Sequence, residues 1–349
     1  MQTIISFFWN REEGRLRALW RLLGQLIVLL LFTLALQLVT TFFAMGYLLY
    51  RESLPPAELA DPLTLQNYIV QSPLLMMVST VITLVAFMLS IWIAGRVLDR
   101  RPFSDFGLRL NRDWWIDFGF GLFLGVLLVS LIFGVQLSTG WITVSDTLVA
   151  HSSALVFPLA LLAYLVTFIA VGIQEELLFR GYQLQNLAEG LSGKVISPGL
   201  AILLATFLSS AVFGVVHMTN PNASLVSTVN IIAAGVFLLA VGYILTGELA
   251  IPIGVHITWN FFMGNIYGFP VSGIDFSGVT LIAIQQSGPE LWTGGAFGPE
   301  AGLLGLLAML LGGLLTALWV RGRYGSLGLK LRLAQAPRRA ENRMVQNEA

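Results

Sequence analysis

Cysteine is absent from this 349-residue chain, charged residues make up only 11% of it, and it has three histidines. The first absence excludes disulfides, thiolate metal sites and a cysteine nucleophile. The second excludes an ordinary soluble domain, in which about a quarter of residues are charged. Basic and acidic residues balance at 19 each, and this zero net charge argues against a nucleic-acid partner. What is present is apolar: 56% of residues are hydrophobic and the mean hydropathy is +0.80. That composition belongs to a polytopic membrane protein, with the lipid bilayer as its first partner.

A spanning helix needs about 20 mostly apolar residues. Eight windows meet this requirement, near 22–48, 73–95, 115–137, 156–178, 198–217, 226–246, 249–267 and 301–320. The expected fold is therefore all-α, with about eight transmembrane helices. The first window follows Arg11, Arg15, Arg17 and Arg21. It is too long for a signal peptide, whose apolar region spans roughly 7–15 residues, and reads as a retained span. The chain then divides into an N-terminal segment, 1–21, a membrane domain, 22–320, and a basic tail, 321–349. No internal repeat is evident, which counts against an inverted-repeat transporter.

Eighteen of the 19 basic residues fall in the N-terminal segment, in the joints after the second and fourth windows, or after the eighth. Arg51 is the exception, and the segment 268–300 has acids but no Lys or Arg. By the positive-inside rule this predicts a multi-pass plasma-membrane protein with both termini cytoplasmic. The joint 96–114, with Trp114 and Trp115, reads as an interfacial amphipathic segment. Residues 268–300 are expected to form an ordered loop over the outer surface. The tail after Gly325 is expected to be disordered or to lie on anionic headgroups.

Against this background Glu175 and Glu176, in VGIQEELLFRGY, stand out. An acid at bilayer depth costs roughly 2.5–3.5 kcal/mol on insertion scales, so two adjacent ones point to a functional site. Glu176 and Arg180 are four apart and share a helix face, which suits a structural ion pair. Glu175 is turned about 100° away and is free to face a cavity. His217, in FGVVHMTNPN, follows Phe213 by four, and His256, in PIGVHITWNFF, precedes Asn260 by four. A lone intramembrane histidine is usually an interhelical hydrogen-bond donor. Two of them with an asparagine and an unpaired acid are hard to explain by packing. His151 lies in a polar joint and reads as a surface residue, and Ser209 and Ser210 as small packing residues.

A carboxylate, two imidazoles and an amide suit water-activating hydrolysis. The carboxylate takes a proton from water, and Asn and His donate to the oxyanion. Glu175, His217 and His256 can equally ligate a divalent metal such as zinc, since two His and one carboxylate leave a coordination position open. The HExxH motif of the zincins is absent.

At these residues the chain resembles the CPBP (Abi) family of intramembrane proteases, which includes type II CAAX prenyl endopeptidases and proteins of bacteriocin processing or self-immunity. Three motifs carry the resemblance: EExxxR at Glu175, Glu176 and Arg180, FxxxH at Phe213 and His217, and HxxxN at His256 and Asn260. FSDFGL at 103–108, TGELAIPIGVH at 246–256 and TGGAFGPE at 293–300 extend it. The resemblance implies an eight-span fold, a protease core about 154–267, and an intramembrane cavity open to the cytosol. It implies that Glu175 and His217 activate water while His256 and Asn260 stabilise the oxyanion, with or without a metal. The substrate would be a membrane protein or lipidated peptide. A non-catalytic immunity or scaffold protein on the same fold, and a proton-coupled transporter, are the alternatives.

One spacing is awkward. Glu175 and His256 fall near the cytoplasmic ends of their windows, but His217 lies ~27 Å into its own at the helical rise. The meeting of all three requires the fifth helix to begin below the membrane, and a short helical extension is expected around 190–198.

Overall fold

The computed structural model describes residues 6–51, 54–59, 61–150 and 155–337. His151 and the tail beyond residue 337 lie outside them. The described residues are mostly helical, and among them seven helices are long and apolar enough to cross a membrane. These are α1 (Ala18–Arg51), α2 (Pro73–Asp99), α3 (Arg112–Ser138), α4 (Phe157–Leu191), α5 (Pro198–Thr219) and α6 (Leu225–Thr246), with α8 (Leu303–Tyr324) after the eighth window's start. The remaining window forms α7 (Ala250–Phe261), continued by a five-residue π turn to Ile266. It is too short to count as a span, yet every residue of Ala250–Phe261 is buried. The polytopic helical architecture is as expected. Helix α7 is its core rather than one more lipid-facing span.

Close backbone approach seats α7 in the middle. A Cβ on Gly254 would lie 2.6 Å from Phe118 O of α3, and one on Gly172 of α4 would lie 2.8 Å from the Ile257 side chain. Small residues at helix contacts serve this purpose in membranes, where apolar burial alone does not drive association. The outer helices expose apolar rows instead, such as Leu34, Leu38 and Phe42 on α1. Gly312 and Gly313 of α8 likewise allow close packing, against Leu238 and Phe237 of α6.

The boundaries depart from expectation in four places. The fourth helix continues to Leu191 rather than stopping near 178, partly as a π-helical stretch Leu177–Leu184. The extension expected at the start of the fifth helix therefore belongs to the end of the fourth, and Glu175 sits near mid-helix. This removes the mismatch in depth with His217, which lies where α5 gives way to a short 3-10 turn.

Second, the joint 96–114 is anchored in the protein by buried residues. Phe106 is fully buried, its ring 5.4 Å from that of Tyr182, and Trp114 is buried and donates to Gly107 O, while Trp115 is exposed. Asp99, Arg101, Arg15, Arg21 and Glu189 form a buried ion-pair network joining the N-terminal segment, the end of α2 and the end of α4. Several of the basic residues that suggested sidedness are thus internally paired.

Third, residues 326–337 are docked: Lys330 N donates to Ile244 O, Arg332 to Gly247 O, and Leu333 is buried. The network contacts and Arg109–Glu248–Arg332 bring the basic joints to one end of the bundle.

Fourth, two antiparallel strands, β1 (Ile142–Ala150) and β2 (Val279–Gln286), pair at the other end. The segment 268–300 is ordered, as expected, but contributes a strand that hydropathy does not reveal.

Candidate functional site

A cavity of about 240 Å³ lies within the bundle, lined among others by Glu175, Phe213, His217, His256 and Asn260. Three helices present these groups. Glu175 comes from mid-α4. His217 comes from the end of α5, whose start is fixed by Ser197 accepting from Leu200 N ahead of Pro198. His256 and Asn260 come from one face of α7, which follows α6 after the left-handed Gly247. A Cβ there would strain a backbone that L residues rarely adopt, so Gly247 makes the sharp reversal into the core possible.

Glu176 is fully buried, and its Oε1 accepts from Arg180 Nη1 at 3.1 Å, the pairing that the spacing suggested. The same oxygen also accepts from His256 Nδ1 at 2.7 Å. His256 Nε2 lies 3.6 Å from Glu175 Oε2, so the imidazole stands between the two acids. With Nδ1–H committed to Glu176, Nε2 donates only in the doubly protonated form, whose charge then lies between two carboxylates. Arg180 is wholly buried, with its guanidinium carbon 4.5 Å from the centre of the Phe213 ring. That cation–π contact supplements the single ion pair.

Phe213 is the hub of the arrangement. Its ring centre is 4.5 Å from that of His217, 6.4 Å from that of His256 and 5.0 Å from that of Phe179. His217 Nδ1 lies 2.7 Å from Phe213 O. A carbonyl only accepts, so Nδ1 carries the proton and Nε2 is the ring nitrogen turned to other partners. Glu175 retains partial exposure on its side chain, in contrast to Glu176.

The metal alternative gains no support from these side chains. Among the described residues no group of three or more His, Asp or Glu could hold a metal ion. The Nδ1 bonds of His256 and His217 leave the Nε2 atom of each ring facing the cavity.

The cavity lies toward the 268–300 end of the bundle rather than toward the basic joints, where an opening to the cytosol was expected. Val271, Ser272, Ile274 and Phe276 form part of its wall, with Met76, Thr167, Phe168 and Val171 opposite. Val216 and Thr219 are exposed at its edge, and Val215 and Met218 beside them are exposed too. One lining acid was not foreseen: Glu300 is buried, and accepts from Trp259 Nε1 at 3.0 Å and from Ser272 N and Oγ at 2.6 and 2.8 Å. In the sequence it was an acid in a segment without basic residues and the last residue of TGGAFGPE, a stretch that extends the family resemblance.

Residues 157–262 match a family model described as type II CAAX prenyl endopeptidase Rce1-like. The chain carries an Rce1-like family domain. All seven motif residues fall inside the Rce1-like match, and Glu300 falls outside it. No curated protein and no solved structure matches the chain. The match over residues 157–262 suggests a protease.

Proposed function

We propose that this protein is an intramembrane endopeptidase that hydrolyses a peptide bond in a membrane protein or lipidated peptide. The observation that carries this reading is the single cavity lined by Glu175, His217, His256 and Asn260 inside a lipid-exposed helical bundle.

In this reading Glu175 takes a proton from a water held between it and His217 Nε2. The hydroxide adds to the scissile carbonyl, and Asn260 with His256 donates to the resulting oxyanion. The proton taken up by Glu175 passes to the departing amine. Glu176 does no proton transfer; it holds His256 by Nδ1 and neutralises Arg180. The apolar wall of Phe168, Val171, Val271, Ile274 and Phe276 suits a hydrophobic substrate side chain. The exposed apolar residues beside His217 favour delivery of the substrate from the bilayer. The clustering of basic residues at one end of the bundle supports a cytosolic side for that end.

The test uses the full chain in lipid nanodiscs with quenched fluorescent peptides, prenylated and unmodified. Cleavage by the wild type, lost in Glu175→Gln without loss of thermal stability, is expected. Equal cleavage by Glu175→Gln overturns the mechanism, and no cleavage of any peptide favours the non-catalytic alternative.

A further inference from the structure

We propose that Glu300 is a positioning residue for the catalytic cavity, acting by clamping the strap 271–276 between the two histidine-bearing elements. The inference rests on the protease reading above.

The carboxylate is buried on the short turn Pro299–Ala301. No basic side chain within ion-pair distance of it is among the described pairs, so its charge is met by three hydrogen-bond donors. A buried charge is costly unless so satisfied, and a neutral side chain would fill this space at less cost. What the charge secures is a specific connection. Oε1 binds Trp259, the neighbour of Asn260 on α7, and Oε2 binds both the backbone and the hydroxyl of Ser272.

Ser272 has φ 48, a left-handed conformation that a non-glycine residue rarely adopts without being held in it. Its carbonyl accepts from Asn220 Nδ2 at 2.9 Å, and the next residue's N–H donates to Phe297 O at 2.8 Å. Asn220 closes the turn that starts at His217, its N–H bonding His217 O at 3.1 Å. A chain of contacts thus runs from α7 through Trp259, Glu300, Ser272 and Asn220 to the turn holding His217. On the cavity side, Val271, Ile274 and Phe276 of the same strap form the wall. A shift of the strap would move His217 relative to Asn260 and admit water. Misplacement by about 1 Å can cost on the order of 100-fold in rate.

The experiment measures kcat and KM of the full chain in nanodiscs for wild type, Glu300→Gln, Glu300→Ala, Glu300→Asp and Asn220→Ala. Because the chain has no cysteine, Ile274→Cys in each background gives one thiol whose maleimide reactivity reports the strap. The expected result is a kcat loss of about 100-fold in Glu300→Gln with KM within about threefold. Glu300→Asp should recover part of what Glu300→Ala loses, and the introduced thiol should lose protection. Unchanged kcat per folded molecule and unchanged labelling overturn the proposal, even if thermal stability falls. If the Glu300 variants do not fold, Asn220→Ala decides by the same two readouts. If the wild type cleaves nothing, the protease reading fails, and unchanged labelling in the folded variants would separately overturn the clamp.

Discussion

His256 Nδ1 donates to Glu176 Oε1 at 2.7 Å, so the acid that sequence spacing pairs with Arg180 is also the group that orients a cavity histidine. One oxygen serves a structural cation and a functional imidazole. Its removal leaves Arg180 buried without its ion-pair partner. Glu176→Ala is therefore expected to destabilise the protein by about 3–5 kcal/mol, the usual cost of breaking a buried pair from one side. Arg180→Ala should cost a similar amount, and the double variant less than the sum of the two. Thermal unfolding in detergent, followed by circular dichroism, measures all three. Strict additivity would mean that the pair is not energetically coupled.

His217 offers a sharper test of roles, because its two nitrogens face different partners. Nδ1 is held by Phe213 O, and the ring lines the cavity. Asn can imitate the Nδ1 donor and keep that backbone bond while leaving nothing at the Nε2 position. His217→Asn should fold with near wild-type stability and lose cleavage by about 10²–10⁴-fold, the range for a general acid–base group. Retained cleavage would remove His217 from the mechanism.

The parts of this site legible in the sequence were those governed by local spacing or by the bilayer. Apolar windows located the helices because lipid allows few other solutions, and i, i+4 pairs located Glu176 with Arg180 and His256 with Asn260. The extension of α4 to Leu191 was missed because its residues pack on protein and carry polar groups such as Gln185 and Glu189, so hydropathy falls while the helix continues. The strands were missed for the opposite reason: at the bundle's end no lipid rule applies, although ITVSDTLVA and VTLIAIQQ have the β-branched content of strands. The bond of Glu176 to His256 and that of Glu300 to Ser272 join residues 80 and 28 positions apart. No periodicity encodes such contacts.

The place of α7 at the centre depends on glycine at its contact with α3. Gly254→Ala puts a Cβ 2.6 Å from Phe118 O, a backbone atom that cannot rotate away. Overpacking of this kind costs about 1–3 kcal/mol. The variant should unfold at lower temperature and, since His256 lies two residues on, lose cleavage as well. A variant as stable as the wild type would show that α3 and α7 can separate without penalty.

Glu248, in the turn between α6 and α7, gives the protein a pH dependence outside the membrane-spanning segments. Burial pushes its carboxyl from 4.5 up to about 7, although the Arg109 N–H and guanidinium pull the other way. In the folded state the group therefore holds its proton across a range in which the unfolded chain has released it. Between about pH 4.5 and 7 the native state binds more protons, so this group's contribution to stability falls as pH rises. The thermal midpoint in detergent should drop from pH 5 to pH 7.5, steepest between the two pKa values and levelling off above the folded one. Glu248→Gln, neutral throughout, should flatten that slope and gain relative to the wild type above pH 7. A midpoint that instead rises with pH in the wild type and falls in Glu248→Gln would mean that the ion pair with Arg332, 2.8 Å away, outweighs the cost of burial.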